Sequence, residues 1–200
     1  MIVGILCTFA EALRAKFALP GSASPEDQLK IPTSTAIEAV GTTFGLTVLS
    51  RTESHLSEHK VRPDIAIYAD GLICGYIELK APGLGADAPR LKGKHNKEQW
   101  EKLKGLPNLI YTDGREWALY RGGERKGQIV RFDDDPIELG KKAIVSENAN
   151  DFEALIRDFV FWSPSVPHKT SELAHYLAPF ARFLRGEVEE ALSTTGTVHE

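Results

Sequence analysis

The residues of this 200-residue chain best suited to chemistry lie in the run RPDIAIYADGLICGYIELK. Asp64 opens one apolar stretch, and Glu78 and Lys80 stand two apart near the end of the next. Side chains alternate along a strand, so Glu78 and Lys80 share a face while Ile73, Ile77 and Leu79 take the other. Two carboxylates and an amine at the edge of a β-rich core are costly unless they pair or bind a cation. A hard divalent ion, Mg²⁺ or Mn²⁺, takes oxygen ligands, commonly one or two carboxylates with water and substrate phosphate completing the shell. Asp64 and Glu78 fit that need, and the ion would acidify a water and offset charge growing on a phosphate. Lys80 would orient or activate that water and stabilise the transition state. From spacing alone, a surface ion pair on a hairpin explains the trio equally well.

These residues depend on the elements around them. Ile5, Leu6, Phe9, Leu13 and Phe17 predict a helix over about residues 5–18. Ser24 and Pro25, with Glu26 and Asp27 in the opening turn, predict a second helix, which Pro32 must bend or divide before about Phe44. Strand character follows at Thr47–Arg51, Asp64–Tyr68 and Leu72–Lys80, the last two joined by the hairpin pair Asp70-Gly71. After the loop APGLGADAP, the segment KHNKEQWEKLKG predicts a short polar helix stopped at Gly105. A second hairpin joins Leu109–Tyr111 to Trp117–Tyr120 through Asp113-Gly114, and a weaker strand lies near Gln128–Phe132. Helical spacing returns over Phe152–Trp162 and Glu172–Leu192. The order predicts an α/β domain with a central mixed sheet flanked by helices and further C-terminal helices. Residues 1–150 are expected to form the core, and 151–200 a helical extension or connector.

Pro63-Asp64 followed by Glu78-Leu79-Lys80 resembles the PD-(D/E)xK restriction-endonuclease-like superfamily. The resemblance implies that fold. It also implies an acid on the first core helix, here Glu26, as a further metal ligand, with Glu38 and Glu53 as less favoured substitutes. On the helix after the motif it implies a role for Gln99, whose amide would bond the DNA backbone or an active-site carboxylate. Glu26 is explained equally well as a first-turn residue favoured by the helix dipole. The segments PEDQLK, RPDIAIY, GYIELKAPG, HNKEQWEKLKGLPNLIYTDGREWALYR and FARFLRGEV, spread over residues 25 to 190, resemble more narrowly the N-terminal nuclease portion of type IIG and type ISP restriction-modification proteins. That implies a Mg²⁺-dependent endodeoxyribonuclease acting on double-stranded DNA, with methyltransferase and specificity domains or subunits as partners and a possible dimer on DNA. No NPPY-like motif and no glycine-rich cofactor loop occurs, so the methyltransferase part is not expected within this chain.

The composition, 42% hydrophobic and 26% charged, suits one globular domain and excludes global disorder. A net charge of −4 and a pI near 5.9 are unlike a nonspecific nucleic-acid binder, so any DNA surface must be local. Such a surface is present in the sequence: Arg90, Lys92, Lys94, Lys97, Lys102 and Lys104 face only Glu98 and Glu101 in the segment after the motif. Arg115, Arg121, Arg125, Lys126 and Arg131 could extend it. The scattered histidines and two cysteines have no zinc-site spacing, and the Gly83–Gly85 loop lacks the lysine and hydroxyl of a phosphate-binding P-loop. The opening apolar run is too short to span a bilayer and lacks signal-peptide flanks, so a cytoplasmic location without membrane attachment is expected. Two other classes share these residues: a binding-only module with a decayed centre, and a subunit-interaction domain in which the trio is structural.

Overall fold

In the computed structural model of the chain, residues 1–21, 24–52 and 63–163 are described, with single positions at 174, 177, 178, 181 and 185. The first apolar spacing folds as α1 (Ile2–Ala18), which buries Ile2, Leu6, Phe9, Ala10 and Leu13. In α2 (Pro25–Thr43), Pro25 takes the first helical position, and Ser24 precedes it without a side-chain capping bond. Of the bend or division expected at Pro32, the division does not occur: α2 runs through it. A proline inside a helix costs about 3 kcal/mol. Leu29 before it and Ala36, Ile37 and Val40 after it are buried in one core. At about 1.5–3 kcal/mol for each large side chain, that burial outweighs the cost.

Six strands follow: β1 (Val48–Thr52), β2 (Ile65–Ala69), β3 (Leu72–Leu79), β4 (Leu109–Thr112), β5 (Glu116–Arg121) and β6 (Glu124–Arg131). They form one sheet in sequence order, with every neighbouring pair antiparallel except β3 and β4, which are parallel. A parallel step needs a crossover connection, and α3 (Lys94–Leu103) lies in it. The short α4 (Pro136–Leu139) and α5 (Ser146–Val160) follow the sheet, and short 3₁₀ turns lie at Ala88–Arg90 and Gly140–Ala143. The result is the α/β architecture expected, a mixed sheet flanked by helices.

The two faces of the sheet are covered differently. Helices α1, α2 and α5 pack on one face, where Leu6, Leu13, Ile37, Leu79, Trp117 and Phe152 share a core. Helix α3 covers the other with Trp100 and Leu103, against Tyr111, Ala118 and Tyr120. The Trp100, Tyr111 and Tyr120 rings meet edge to face at centroid distances of 4.9 to 5.8 Å, the arrangement that ring quadrupoles favour.

Several sequence expectations are corrected. Helix α5 straddles residue 150, and its Phe152, Ile156 and Phe159 belong to the main core. Ile73 does not share the buried face of Ile77 and Leu79. The β2–β3 register passes from Ile67 opposite Gly75 to Tyr68 opposite Ile73, and this bulge at Cys74 turns Ile73 outward, 47% exposed. Helix α3 ends at Leu103 with Lys104 as its C-cap in right-handed conformation, so Gly105 follows the stop directly but without the positive φ of a glycine cap. Of the helix expected over Glu172–Leu192, only the five single positions are described, and Glu53, His55 and His59 lie outside the described residues. No helix among the described residues is long and apolar enough to cross a membrane.

Candidate active site

The β2–β3 hairpin fixes the first two groups. Asp70 and Gly71 both take positive φ, as the tight turn requires, and Asp70 Oδ1 accepts from Thr47 N–H at 2.9 Å. At the far end Ile65 pairs with Ile77, so the next residues outward, Asp64 and Glu78, lie opposite each other across the ladder. Asp64 Oδ2 accepts from Leu79 N–H at 2.8 Å, which holds the carboxylate against the edge of β3.

Glu78 and Lys80 point toward α3, and both are almost completely buried, at 1% and 2% exposure. Lys80 Nζ donates to Glu78 Oε1 at 2.8 Å and to Gln99 Oε1. Gln99 Nε2 donates to the same Glu78 oxygen, closing a triangle of carboxylate, ammonium and amide. Only this orientation of the amide works, because the reverse would face its carbonyl to the carboxylate and its NH₂ to the ammonium. Lys80 Nζ also stands 5.6 Å from the centroid of the Tyr111 ring. Its backbone N–H donates to Thr112 O at 2.8 Å, continuing the parallel β3–β4 ladder to the site.

Helix α2 supplies the third side. Glu26 Oε1 accepts from Ala81 N–H at 3.2 Å, just beyond the Lys80 strand. One turn later Lys30 Nζ lies 3.6 Å from Asp64 Oδ1 and 2.6 Å from Asp27 Oδ1. Burial pushes the Asp64 carboxyl above its usual range, and Glu26 adds to this, while Leu79 N–H and Lys30 oppose it. Glu78 is pushed up to about 8, first by loss of water and then by the charge of Asp64, which Lys80 only partly offsets.

Among the described residues no three His, Cys, Asp or Glu side chains are grouped to hold a metal ion by themselves. One or two carboxylates suffice for Mg²⁺, which keeps several waters. Glu78 Oε2 is buried without any hydrogen-bond partner, and a buried lone carboxylate oxygen is expensive. An unpartnered oxygen beside a second carboxylate fits a hard cation.

The chain places the other predicted residues unequally. Asp64, Glu78, Lys80, Gln99 and Glu26 come together. Glu38 does not join them, since its Oε1 accepts from the N–H and hydroxyl of Ser50 at 2.7 and 2.5 Å and so ties α2 to β1. Arg90, Lys92, Lys94, Lys97 and Lys102 are exposed on and before α3, with Lys94 paired to Glu98 and half-buried Lys104 paired to Glu101. The arginines and lysine proposed to extend this surface have internal partners. Arg115 bonds the carbonyls of Phe132 and Asp133, Arg121 pairs with Asp158, Arg125 with Asp87, Lys126 with Glu124 and Arg131 with Glu116.

Two residues at the site carry no sequence expectation. Lys30 lies four residues after Glu26, a spacing that puts both on one helix face and was a usable signal. Asp113 reads only as a turn residue beside Gly114. In the fold it is buried, Oδ2 accepting from Gly83 and Gly85 N–H at 3.1 and 2.8 Å and Oδ1 from Arg115 and Glu116 N–H at 3.0 and 2.8 Å. Asp113 thus pins the loop that leaves Lys80.

No family model and no curated protein matches the sequence. Among solved structures, the cryo-EM structure of a DrdV–DNA complex is similar, at 20% sequence identity and a TM-score of 0.54, covering 82% of this chain and 14% of that one. The chain therefore spans a small part of the length of that neighbour. The likeness is one of fold, and it agrees with the α/β core of this chain, a mixed six-stranded sheet flanked by helices.

Proposed function

We propose that this chain is a metal-dependent DNA endonuclease domain that hydrolyses phosphodiester bonds, serving as the cleavage part of a restriction-modification system. The observation that carries the reading is the pairing of Asp64 with Glu78, whose second oxygen is buried without a partner beside Lys80. Asp64 and Glu78 would hold Mg²⁺ or Mn²⁺, with Glu26 as a further ligand, its charge close enough to raise both carboxyls. When bound, the ion supplies Lewis acidity that makes water a better nucleophile and offsets charge on the scissile phosphate.

The chain's own groups do the positioning. Gln99 locks Glu78 and Lys80 in one arrangement, so neither must be ordered at the moment of reaction. An ammonium has three N–H donors, and Glu78 and Gln99 take two of those of Lys80. The third is left to orient the attacking water or to bond a phosphate oxygen. Base readout would belong to methyltransferase and specificity parts outside this chain, and cutting both strands with one site per chain would need two copies on the DNA.

The test compares cleavage of supercoiled and linear DNA, with Mg²⁺ or Mn²⁺, by the unmodified chain, Asp64→Ala and Lys80→Met. Nicking or cutting by the first and a loss of about 10²-fold or more in the others is expected. Equal activity in all three would sink the reading. Calorimetric Mn²⁺ binding, lost in Asp64→Ala/Glu78→Ala, is the companion measurement. A second reading, a DNA-binding module without chemistry, draws on the near-complete burial of Glu78 and Lys80. It expects DNA binding with neither Mn²⁺ binding nor cleavage.

A further inference from the structure

Resting on the reading above, we infer that Lys30 is a placeholder cation of the site, which holds Asp64 until a divalent ion takes that carboxylate and then turns to a backbone phosphate. The two oxygens of Asp64 are not equivalent. Oδ2 is committed to Leu79 N–H, so Oδ1 is the oxygen left for a cation, and Lys30 Nζ already stands 3.6 Å from it. A metal ion and an ammonium cannot share that position without strong repulsion. Lys30 has somewhere else to go, because Asp27, more exposed and 2.6 Å away, holds the same ammonium from the outer side. Its long stem lets the charge swing outward while the helix stays still, and a compact ammonium is a good point-charge partner for phosphate. Glu26 and Lys30 lie one turn apart on α2, so a single helix presents both an acid toward the Lys80 strand and the cation that covers Asp64.

The exchange has a signature that a structural ion pair lacks. Removing the ammonium should free Asp64 and strengthen metal binding, while weakening the hold on DNA. Calorimetric titration with Mn²⁺ is expected to give a Kd about three- to tenfold lower for Lys30→Met than for the unmodified chain. Lys30→Arg, which keeps the charge, should stay within about twofold. Binding of a labelled duplex in Ca²⁺, followed by anisotropy against salt, should show a slope smaller by about one for Lys30→Met. Unchanged or weaker Mn²⁺ binding in Lys30→Met overturns the placeholder role, and an unchanged salt slope overturns the transfer to phosphate. An unmodified chain that binds no Mn²⁺, or binds it equally in Asp64→Ala, overturns the metal reading of the site and this inference with it.

Discussion

Glu78 illustrates how much the site costs the fold. Its carboxyl is pushed up to about 8 by burial and by Asp64, although Lys80 is bonded to it. Asp64 is shifted in the same direction. Between the ordinary carboxylate value of 4.5 and about 8, the folded state therefore holds more protons than the unfolded chain. Stability must fall as pH rises through that window, with a contribution from Glu78 of at most about 1.4 kcal/mol per pH unit. Urea midpoints of the metal-free protein should accordingly drop from pH 5 to pH 8. Glu78→Gln, which removes the charge but keeps the shape, should flatten the trend and be the more stable of the two at pH 8. A midpoint rising with pH would contradict the electrostatics described here. The trio behind this behaviour was legible in the sequence because strand alternation and a tight hairpin leave little freedom in where Asp64, Glu78 and Lys80 point. Lys30 was harder to find: its charge reads as a solvated helix residue until the fold brings Asp64 from 34 positions away to within 3.6 Å of it.

At the scale of elements, two contacts decide whether the site keeps its shape. Asp113 gathers four backbone N–H groups from two loops on one buried carboxylate, and so fixes the chain leaving Lys80. Asp113→Ala would leave those donors unsatisfied and should destabilise by at least about 2 kcal/mol. Asp113→Asn should fall between, since its NH₂ cannot accept. Hydrogen exchange at the Gly83 and Gly85 amides is the specific readout, and unchanged protection there would remove Asp113 from this role. Gly75 lets β3 approach β4 and α5, because a Cβ there would meet Asn108 O and Phe159 Cε2 at 2.6 Å. Gly75→Ala should cost about 1–3 kcal/mol in urea unfolding. Neither role is visible in sequence, for a different reason each time. Asp113-Gly114 signals a turn whatever else the aspartate does, and Gly75 in an apolar strand gives no sign of what packs on it. The bulge at Cys74 is equally silent, since one extra residue leaves the apolar composition of β3 unchanged while reversing where Ile73 points. Pro32 shows the opposite case: local propensity allows a break there, and core contacts on both sides of it keep α2 one helix.

Across the whole molecule, a net charge of −4 means that DNA meets a repulsive object unless it approaches by one side. In the proposed function the segment Arg90–Lys104 would be that side by composition, with six cations against two acids. Folding thins it, because Lys94 and Lys104 are paired with Glu98 and Glu101, and Arg90 lies near Asp87. Lys92, Lys97 and Lys102 make no ion pair among the described residues and are exposed, so they are the charges most available to phosphate. They sit on or just before α3, the helix that also delivers Gln99 to Glu78 and Lys80. DNA held by these lysines would thus lie against the element that orders the reaction centre. Replacing all three by glutamine should weaken duplex binding and reduce the slope of log K against log salt by about two to three, each lost phosphate contact contributing about 0.9. Calorimetric Mn²⁺ binding should be unaltered, since the three lysines are exposed, where water and salt screen their charge, and none of them contributes to the shifts of Asp64 and Glu78. Anisotropy titrations at several salt concentrations, with Mn²⁺ binding measured on the same triple variant, separate the two functions. A triple variant with an unchanged salt slope would place the DNA-facing side elsewhere on the molecule.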